Sequence, residues 1–216
     1  MNRILTFFIV VMSSVVAKAD EGDSVRTLLL PQFEKGIVVL KSNGARLSSL
    51  LNYDMIDGRM LYLEADSTLN ELDAGAVALV TVGVHTFIPS KNGAFYERIQ
   101  TGDKEYYLNH KSKVISQGKA SGYGGYSQTA SISGLVVTNT SGTLYLLGSE
   151  EKFKGIDETS VFLKNGNKYE RITSLKILVK HFKPHQALIE TYAKENRINF
   201  NKVQNVQSIV EYALSL

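Results

Sequence analysis

The sequence contains no cysteine. This absence excludes disulfide bonds, a thiolate nucleophile, a cysteine-bound metal and a lipid anchor on an N-terminal cysteine. Tryptophan is also absent, which weakens the case for a sugar-stacking surface. Apart from the N-terminal segment, no hydrophobic run approaches the roughly 20 residues of a membrane-spanning helix. We therefore expect a soluble mature protein without a transmembrane segment, stabilised by an ordinary hydrophobic core.

Residues 1–19 have the composition of a secretory signal peptide. Arg3 supplies the positive charge, an apolar run of about a dozen residues follows, and Ala17 and Ala19 are the small residues that precede a cleavage site. We predict cleavage after Ala19 and a periplasmic or secreted protein. Cleavage removes Arg3 and Lys18, so 22 of the 24 basic residues remain against 21 acidic ones, a net charge of +1. Such a balance gives no strong attraction for nucleic acid, and no nucleic-acid partner is expected.

Residues 36–172 show the pattern of an antiparallel β protein. Short apolar stretches alternate with two-residue turn motifs that suit the positive φ angles of tight hairpin turns. These motifs are Asn43-Gly44, Asp57-Gly58, Asn92-Gly93 and Asn165-Gly166. Between them, stretches such as residues 77–84 are rich in the β-branched residues favoured in strands. The pattern predicts an antiparallel meander, a sandwich or an open barrel.

Two of the hairpins share a longer motif. Residues 91–99 (KNGAFYERI) and residues 164–172 (KNGNKYERI) agree at seven of nine positions. One interpretation is a duplicated unit, or a surface motif used twice. The other is that hairpin chemistry dictates the shared residues, with Tyr and Ile facing inward and Glu and Arg facing outward. Two copies are too few to indicate a solenoid or a propeller.

Beyond the β region the hydrophobic period becomes that of helices. Ser174 is a candidate N-cap for the first helix, Pro184 separates it from the second, and Asn201 is a candidate cap for the last. The apolar stripes are Leu175, Leu178, Val179 and Phe182; Leu188, Ile189 and Tyr192; and Val203, Val206, Val210 and Ala213. Strands followed by helices indicate an α+β fold. We predict a β-rich domain over residues 20–172 and, packed on it, a C-terminal segment of two or three short helices over residues 173–216.

Three stretches carry a resemblance to a known family: residues 36–64, residues 87–100 and residues 175–216. The C-terminal stretch, with its KENRINF segment at residues 194–200, is the most specific of them. The chain resembles an uncharacterised family of small exported proteins common in Bacteroidetes-type bacteria. The resemblance implies an envelope or secreted location in a Gram-negative cell, and it implies no activity, cofactor or catalytic residue.

Residues 118–134 (GKASGYGGYSQTASISG) form the most unusual stretch. A phosphate-binding loop is excluded because there is no Gly-Lys-Ser/Thr motif and no helical pattern follows the glycines. A nucleophile elbow at Ser127 would need a small residue two positions later, where this chain has threonine. A Ser–His–acid triad assembled from distant residues stays open. We predict a flexible loop over residues 116–134, with Tyr123, Tyr126 and Ser127 as candidate ligand or partner contacts.

Neither the histidines nor the acidic residues form a recognisable metal or catalytic motif. His181 and His185 have the i, i+4 spacing of a metal-binding helix, but Pro184 lies between them and no glutamate follows His181. Acidic groupings such as Asp54 with Asp57 are equally well explained as turn residues. A glycosidase needs two carboxylates across a cleft, which the sequence does not place. No metal and no cofactor is predicted.

Aromatic residues concentrated in the middle of the chain are the remaining candidates. In residues 95–96 and 106–107 the neighbouring rings point to opposite faces of a sheet, so one of each pair is expected in the core. We name Tyr96 and Tyr107 as further candidate contacts. The sequence thus predicts an exported, non-enzymatic binding module for an unknown envelope protein or glycan. The alternative is a hydrolase acting on cell-wall or polysaccharide material.

Overall fold

The structure, a computed structural model, describes residues 27–120, 126–127, 136–138, 144–146, 151–166 and 168–216. The predicted signal peptide, residues 1–19, and the candidate contact Tyr123 lie outside these ranges. In the described chain, strands occupy the part up to residue 171 and helices follow. The predicted α+β fold is therefore confirmed.

Fifteen strands lie in the described ranges. The first eight follow one another without a long interruption: β1 (Glu34–Leu40), β2 (Arg46–Asp54), β3 (Arg59–Leu63), β4 (Leu69–Glu71), β5 (Val77–Val82), β6 (His85–Pro89), β7 (Phe95–Thr101) and β8 (Lys104–Asn109). The next five are β9 (Ser112–Ala120), β10 (Tyr126–Ser127), β11 (Val136–Thr138), β12 (Leu144–Leu146) and β13 (Glu151–Asp157). The last two are β14 (Ser160–Asn165) and β15 (Lys168–Arg171).

Ten of these strands form the main sheet, in the order β15-β14-β8-β7-β6-β5-β1-β2-β3-β4, and every neighbouring pair is antiparallel. Most neighbours are consecutive in the chain, as in a meander. At one junction the chain leaves the sheet after β8 and returns as β14, with Ser160 opposite Asn109. The excursion contributes a smaller sheet of β10, β9 and β13 and the two-stranded pair β11 and β12.

The four predicted hairpin turns are confirmed. Gly44, Gly58, Gly93 and Gly166 have φ angles of +68°, +73°, +87° and +59°. These glycines lie in the turns β1–β2, β2–β3, β6–β7 and β14–β15, where side-chain-bearing residues would be strained. The asparagine-glycine and aspartate-glycine pairs therefore mark the turns for the reason that the sequence suggested.

Gly36 in β1 has a different role, because another strand approaches it closely. A Cβ atom at this position would lie 2.4 Å from the carbonyl oxygen of Thr81 in β5 and 2.6 Å from Cδ1 of Leu51 in β2. Any larger residue would therefore push apart strands that hydrogen-bond to β1 on both sides.

The main sheet curves, so that one of its faces becomes an interior. The turn between β2 and β3 reaches across to distant strands: the N–H of Phe95 donates to Gly58 O at 3.1 Å, and the N–H of Ser112 donates to Met55 O at 2.9 Å. The side chains inside the curve form what we call the sheet core: Leu30, Val38, Leu51, Tyr53, Met60, Val77, Val80, Val82, Phe87 and Phe95. The curved sheet thus encloses its own hydrophobic interior.

The described residues 168–216 contain the helices α1 (Leu175–His181), α2 (Gln186–Glu195) and α3 (Val203–Ser215), with a short 3-10 helix at Lys183–His185. The Ser174 cap is confirmed, because its side chain accepts a hydrogen bond from the N–H of Ile177. The predicted Asn201 cap is wrong. Lys202 occupies the cap position of α3 without a side-chain bond, and the N–H of Asn201 donates to Asn199 Oδ1 instead.

The helices cover the inner face of the sheet beside the sheet core. Their apolar stripes pack against β8, β14 and the residue after β15, and this second cluster is called the helix core. Its buried members are Tyr106, Leu108, Val161, Leu163, Ile172, Leu178, Ile189, Val206, Ile209, Val210, Ala213 and Leu214. Tyr106 also bonds the helix layer through its hydroxyl, which lies 2.7 Å from Glu211 Oε1. The C-terminal segment is therefore part of the main packing unit.

The predicted loop, residues 116–134, partly coincides with strands. Strand β9 continues to Ala120, and β10 pairs with it, with Tyr126 opposite Ala120 and Ser127 opposite Lys119. The other residues of the predicted loop lie outside the described ranges. The side chains of Tyr126 and Ser127 are likewise outside the description, so their role as contacts stays a prediction.

Candidate functional site

The two copies of the repeated motif occupy β7 and β15 and orient their residues in the same way. In β7, Phe95, Glu97 and Ile99 alternate with Tyr96 and Arg98. Glu97 and Ile99 face the cores, whereas Tyr96 faces the outer side of the sheet, where it contacts other rings. The expectation that Tyr and Ile face inward together is therefore wrong. Strand alternation places Tyr with Arg and Glu with Ile.

Tyr96 and Tyr107 are buried rather than presented to solvent. The Tyr96 ring stacks on Phe162, with centroids 5.2 Å apart, and meets Tyr169 edge-on at 5.1 Å. Tyr107 meets Tyr169 edge-on at 4.9 Å, and its hydroxyl donates to Glu105. Tyr169 is the counterpart of Tyr96 in the second copy, so the two motifs touch each other through their tyrosines. These rings stabilise the outer face of the sheet by aromatic packing.

On the inner face, a buried carboxylate joins two histidines from neighbouring strands. Nδ1 of His85 in β6 lies 2.6 Å from Glu97 Oε1, and Nε2 of His110, just after β8, lies 2.5 Å from Glu97 Oε2. The Glu97 side chain is only 7% exposed, against 24% for His85 and 14% for His110. We call this arrangement the His–Glu–His cluster. It lies where the sheet core meets the helix core, because Phe87 and Leu108 pair with Glu97 on the two adjacent strands.

The electrostatics of the cluster favour its charged form. Burial raises the pKa of the Glu97 carboxyl, but the hydrogen bonds from His110 and His85 outweigh it and lower that pKa to about 2. The hydrogen bond to Glu97 raises the pKa of His85 against the opposing effect of burial, and the negative charge of Glu34 adds to this rise. The carboxylate is therefore ionised at neutral pH and favours the protonated form of His85.

Aromatic rings wall the cluster on the side of the sheet core. Tyr53 stacks on Phe87 with centroids 5.0 Å apart, and His110 meets both rings nearly edge-on at 6.1 and 6.5 Å. The Tyr53 hydroxyl lies 3.1 Å from the Phe95 carbonyl oxygen and 3.2 Å from that of His110. These contacts fix the backbone at Phe95 and at His110, so the His110 imidazole is held in place through both its ring and its main chain.

The second copy of the motif repeats this pairing in a more open setting. Glu170, the counterpart of Glu97, accepts from His181 in α1, with 2.9 Å between Oε2 and Nε2. Its side chain is 43% exposed. Each glutamate of the motif thus binds histidine, and the second pair connects β15 to the helix layer. The two copies of the motif are therefore alike both in sequence and in the glutamate–histidine contact that each makes.

The cluster predicts how stability depends on pH. The folded state raises the pKa of His85 above its ordinary value of 6.5, so this stabilisation is complete below pH 6.5 and is lost as the pH rises through the raised value. The pKa of Glu97 falls from 4.5 to about 2, so its stabilisation is complete above 4.5 and is lost as the pH falls towards 2. Urea midpoints measured from about pH 5 to about pH 9 should therefore decline above neutrality.

The control for this prediction is His85→Gln, which removes one titrating partner and leaves the carboxylate in place. Its midpoints should change less between about pH 6 and about pH 9 than those of the unmodified protein. Parallel pH profiles for the two proteins would contradict the assigned role of His85.

A pocket of about 600 Å³ lies where the ends of β8, β14 and β15 meet the start of α3. Its polar wall consists of Asn109, Lys111, Asp157, Glu158, Thr159, Ser160, Arg171, Thr173 and Asn201, and its apolar floor of Val161, Phe162, Ile172, Phe200, Val203 and Val206. This volume lies within the range of small-molecule sites, roughly 300–1,000 Å³. Neither Glu97 nor its histidine partners line the pocket, although Asn109 and Lys111 flank His110 along the chain.

Among the described residues, no group of three or more His, Cys, Asp or Glu side chains is arranged to hold a metal ion. In the same part of the chain, no helix combines the length and the apolar character needed to cross a membrane. Comparisons with protein-family models, with curated proteins and with solved structures found no match for this chain. The geometry of the cluster and of the pocket is therefore what bears on function.

Proposed function

We propose that this chain is an exported, non-enzymatic binding protein of the cell envelope that takes its ligand in the pocket beside α3. The observation that carries the proposal is the pocket itself, which polar groups at the ends of β8, β13, β14 and β15 line together with apolar side chains. Such a mixture of an apolar surface with a few polar groups is typical of ligand sites. The export part of the proposal is supported by the composition of residues 1–19 and by the resemblance to exported proteins.

Binding is favoured over hydrolysis because the carboxylates that line the pocket, Asp157 and Glu158, are exposed neighbours at one strand end, whereas the buried carboxylate Glu97 lies elsewhere. A general acid or base must reach the substrate within hydrogen-bonding distance, directly or through one water. The carboxylate with the strongly lowered pKa, Glu97, is buried between its histidines and is not part of the pocket wall. Its position on the inner face at the junction of the two cores instead suits a structural role.

A ligand screen with a pocket-filling variant tests the proposal. Thr173→Trp places a large ring in the wall from an exposed position, and Thr191→Trp, exposed on α2 outside the pocket, is its control. Ligand-observed NMR on saccharide and peptide panels should give hits that weaken about tenfold or more in Thr173→Trp only. If both variants bind the hits equally, the pocket is not the ligand site. If the protein instead cleaves one of the hits, and Thr173→Trp abolishes that cleavage, the hydrolase is favoured.

Export is tested separately from binding. Expressed from its full sequence in a Gram-negative host, the protein should appear in the periplasmic or extracellular fraction with Asp20 as its first residue. Mass spectrometry of the intact protein measures this directly. Recovery of the uncleaved chain from the cytoplasm would contradict the envelope location and leave the pocket unaffected.

A further inference from the structure

The pocket wall contains two cations that have no anionic partner among the described residues. Lys111 and Arg171 both line the pocket and are exposed, and neither makes an ion pair in the described part of the chain. The repeated motif provides a comparison, because Arg98, the counterpart of Arg171, lies 4.0 Å from Glu105. The arginine of the second copy is thus free to bind a ligand, and its planar guanidinium suits a carboxylate.

The rest of the polar wall suits hydroxyl groups. Asp157 and Glu158 offer carboxylate oxygens, and one oxygen of Asp157 accepts the N–H of Thr159 at 2.8 Å, which fixes that side chain. Asn109 lies opposite Ser160 in the register of β8 and β14, so amide and hydroxyl groups adjoin. Carboxylates accept hydrogen bonds from hydroxyl groups, and amides both accept and donate, so together they can bind several neighbouring hydroxyls of a polyhydroxylated ligand.

The floor of the pocket suits a ring with an apolar face. Phe200 shortly before α3, Val203 at its first residue and Ile172 after β15 provide carbon surface in the same pocket as the polar groups. A free phosphate or a simple carboxylic acid would leave this surface and the hydroxyl-binding groups unused. A neutral sugar would leave both cations without a partner.

We propose that the ligand is an acidic saccharide, a sugar ring bearing a carboxylate, with Arg171 and Lys111 binding the carboxylate and Phe200 lying beneath the ring. This inference rests on the proposed function, because it names the ligand class of the same pocket. Asp157, Glu158 and the neighbouring amides bind the ring hydroxyls.

Calorimetric titration with two trisaccharides tests the ligand class. Trigalacturonic acid should bind about tenfold or more tightly than neutral maltotriose, and the preference should shrink as salt screens the charges. Arg171→Gln and Lys111→Gln should each remove most of this preference. The matched controls are Arg98→Gln from the first copy of the motif and Lys113→Gln, exposed two residues beyond Lys111 and outside the pocket wall; both should stay within about twofold of the unmodified protein.

The outcomes separate this inference from the proposed function. Equal affinity for the two trisaccharides, or equal losses in Arg171→Gln and Arg98→Gln, would overturn the role of the cations. If neither trisaccharide binds while a peptide or other ligand binds in a manner sensitive to Thr173→Trp, the saccharide class is wrong and the binding function stands. If no ligand in the panels binds, the pocket is not the functional site and both proposals fall.

Discussion

Replacing Glu97 with alanine should lower the free energy of unfolding by about 3–5 kcal/mol near pH 6, the loss expected when one partner of a buried ion pair is removed. The variant removes the carboxylate that bonds both His85 and His110, and among the described residues no other carboxylate lies at hydrogen-bonding distance from either ring. His85 must then lose its proton or remain charged without this partner, and His110 loses its hydrogen-bond partner; both changes destabilise the folded state. Urea denaturation followed by circular dichroism measures the change.

The repeated motif supplies the control. Glu170→Ala removes the same residue from the second copy, where the carboxylate is 43% exposed and has one histidine partner. That substitution should cost about 1 kcal/mol or less, because exposed ion pairs contribute little. A similar loss in both variants would show that the burial of the Glu97 carboxylate has no special effect, contrary to the assignment of the cluster.

Replacing Ile209 with alanine should lower the free energy of unfolding by about 2–5 kcal/mol. The Ile209 side chain is fully buried in the helix core, on the face of α3 that packs against the sheet. Removing most of it leaves a cavity between the helices and the strands, since the surrounding side chains relax only in part. The same denaturation experiment measures this loss, and it tests whether the helix layer and the sheet unfold together.

Leu188→Ala in α2 is the matched control, because that leucine is 51% exposed. Its cost should stay within about 0.5 kcal/mol, as for most surface substitutions. If Ile209→Ala left the sheet unfolding at its original midpoint while the helical signal disappeared earlier, the helices would be a separate unit and the shared core would be wrong.

The local chemistry of the chain could be read from its sequence. Each Asn-Gly or Asp-Gly pair became a turn with positive φ at glycine, and Ser174 became a helix cap, because these features depend on a few adjacent residues. The last helix began one residue later than expected, at Val203 after Lys202. Helix boundaries are less certain because several residues near an end can serve as the cap.

The His–Glu–His cluster was not predicted, because its members lie on three elements that only the sheet brings together. A local feature did point to it. Glu97 lies two residues from Phe95 and two residues from Ile99, so strand alternation places it among inward-facing apolar side chains. The same spacing places His85 with Phe87. A charged residue that points to the apolar side of a strand needs a hydrogen-bonding or charged partner there, and in this protein the histidines are its partners.

The pocket and the outer aromatic cluster were beyond sequence reasoning for a related reason. Both depend on the pairing of β14 with β8, two strands that lie far apart in the chain. No local sequence pattern specifies that pairing. From the sequence alone, Tyr96 and Tyr107 are therefore candidates for exposed contacts. In the structure, Phe162 packs against Tyr96 and Tyr169 packs against Tyr107. Adjacent aromatic residues can both be buried when each face of the sheet carries its own packing.

The return of the chain from β8 to β14 has a consequence for how this protein can change over generations. Asn109 and Ser160 face each other, so everything between them begins and ends at one place on the sheet. Lengthening such a segment adds only about 0.6 kcal/mol of closure entropy for each doubling. The ten-stranded framework, the His–Glu–His cluster and the pocket wall can therefore be inherited unchanged while the segment between Lys111 and Asp157 diverges, is shortened or accepts an inserted domain. Lineages would then differ most between these two residues.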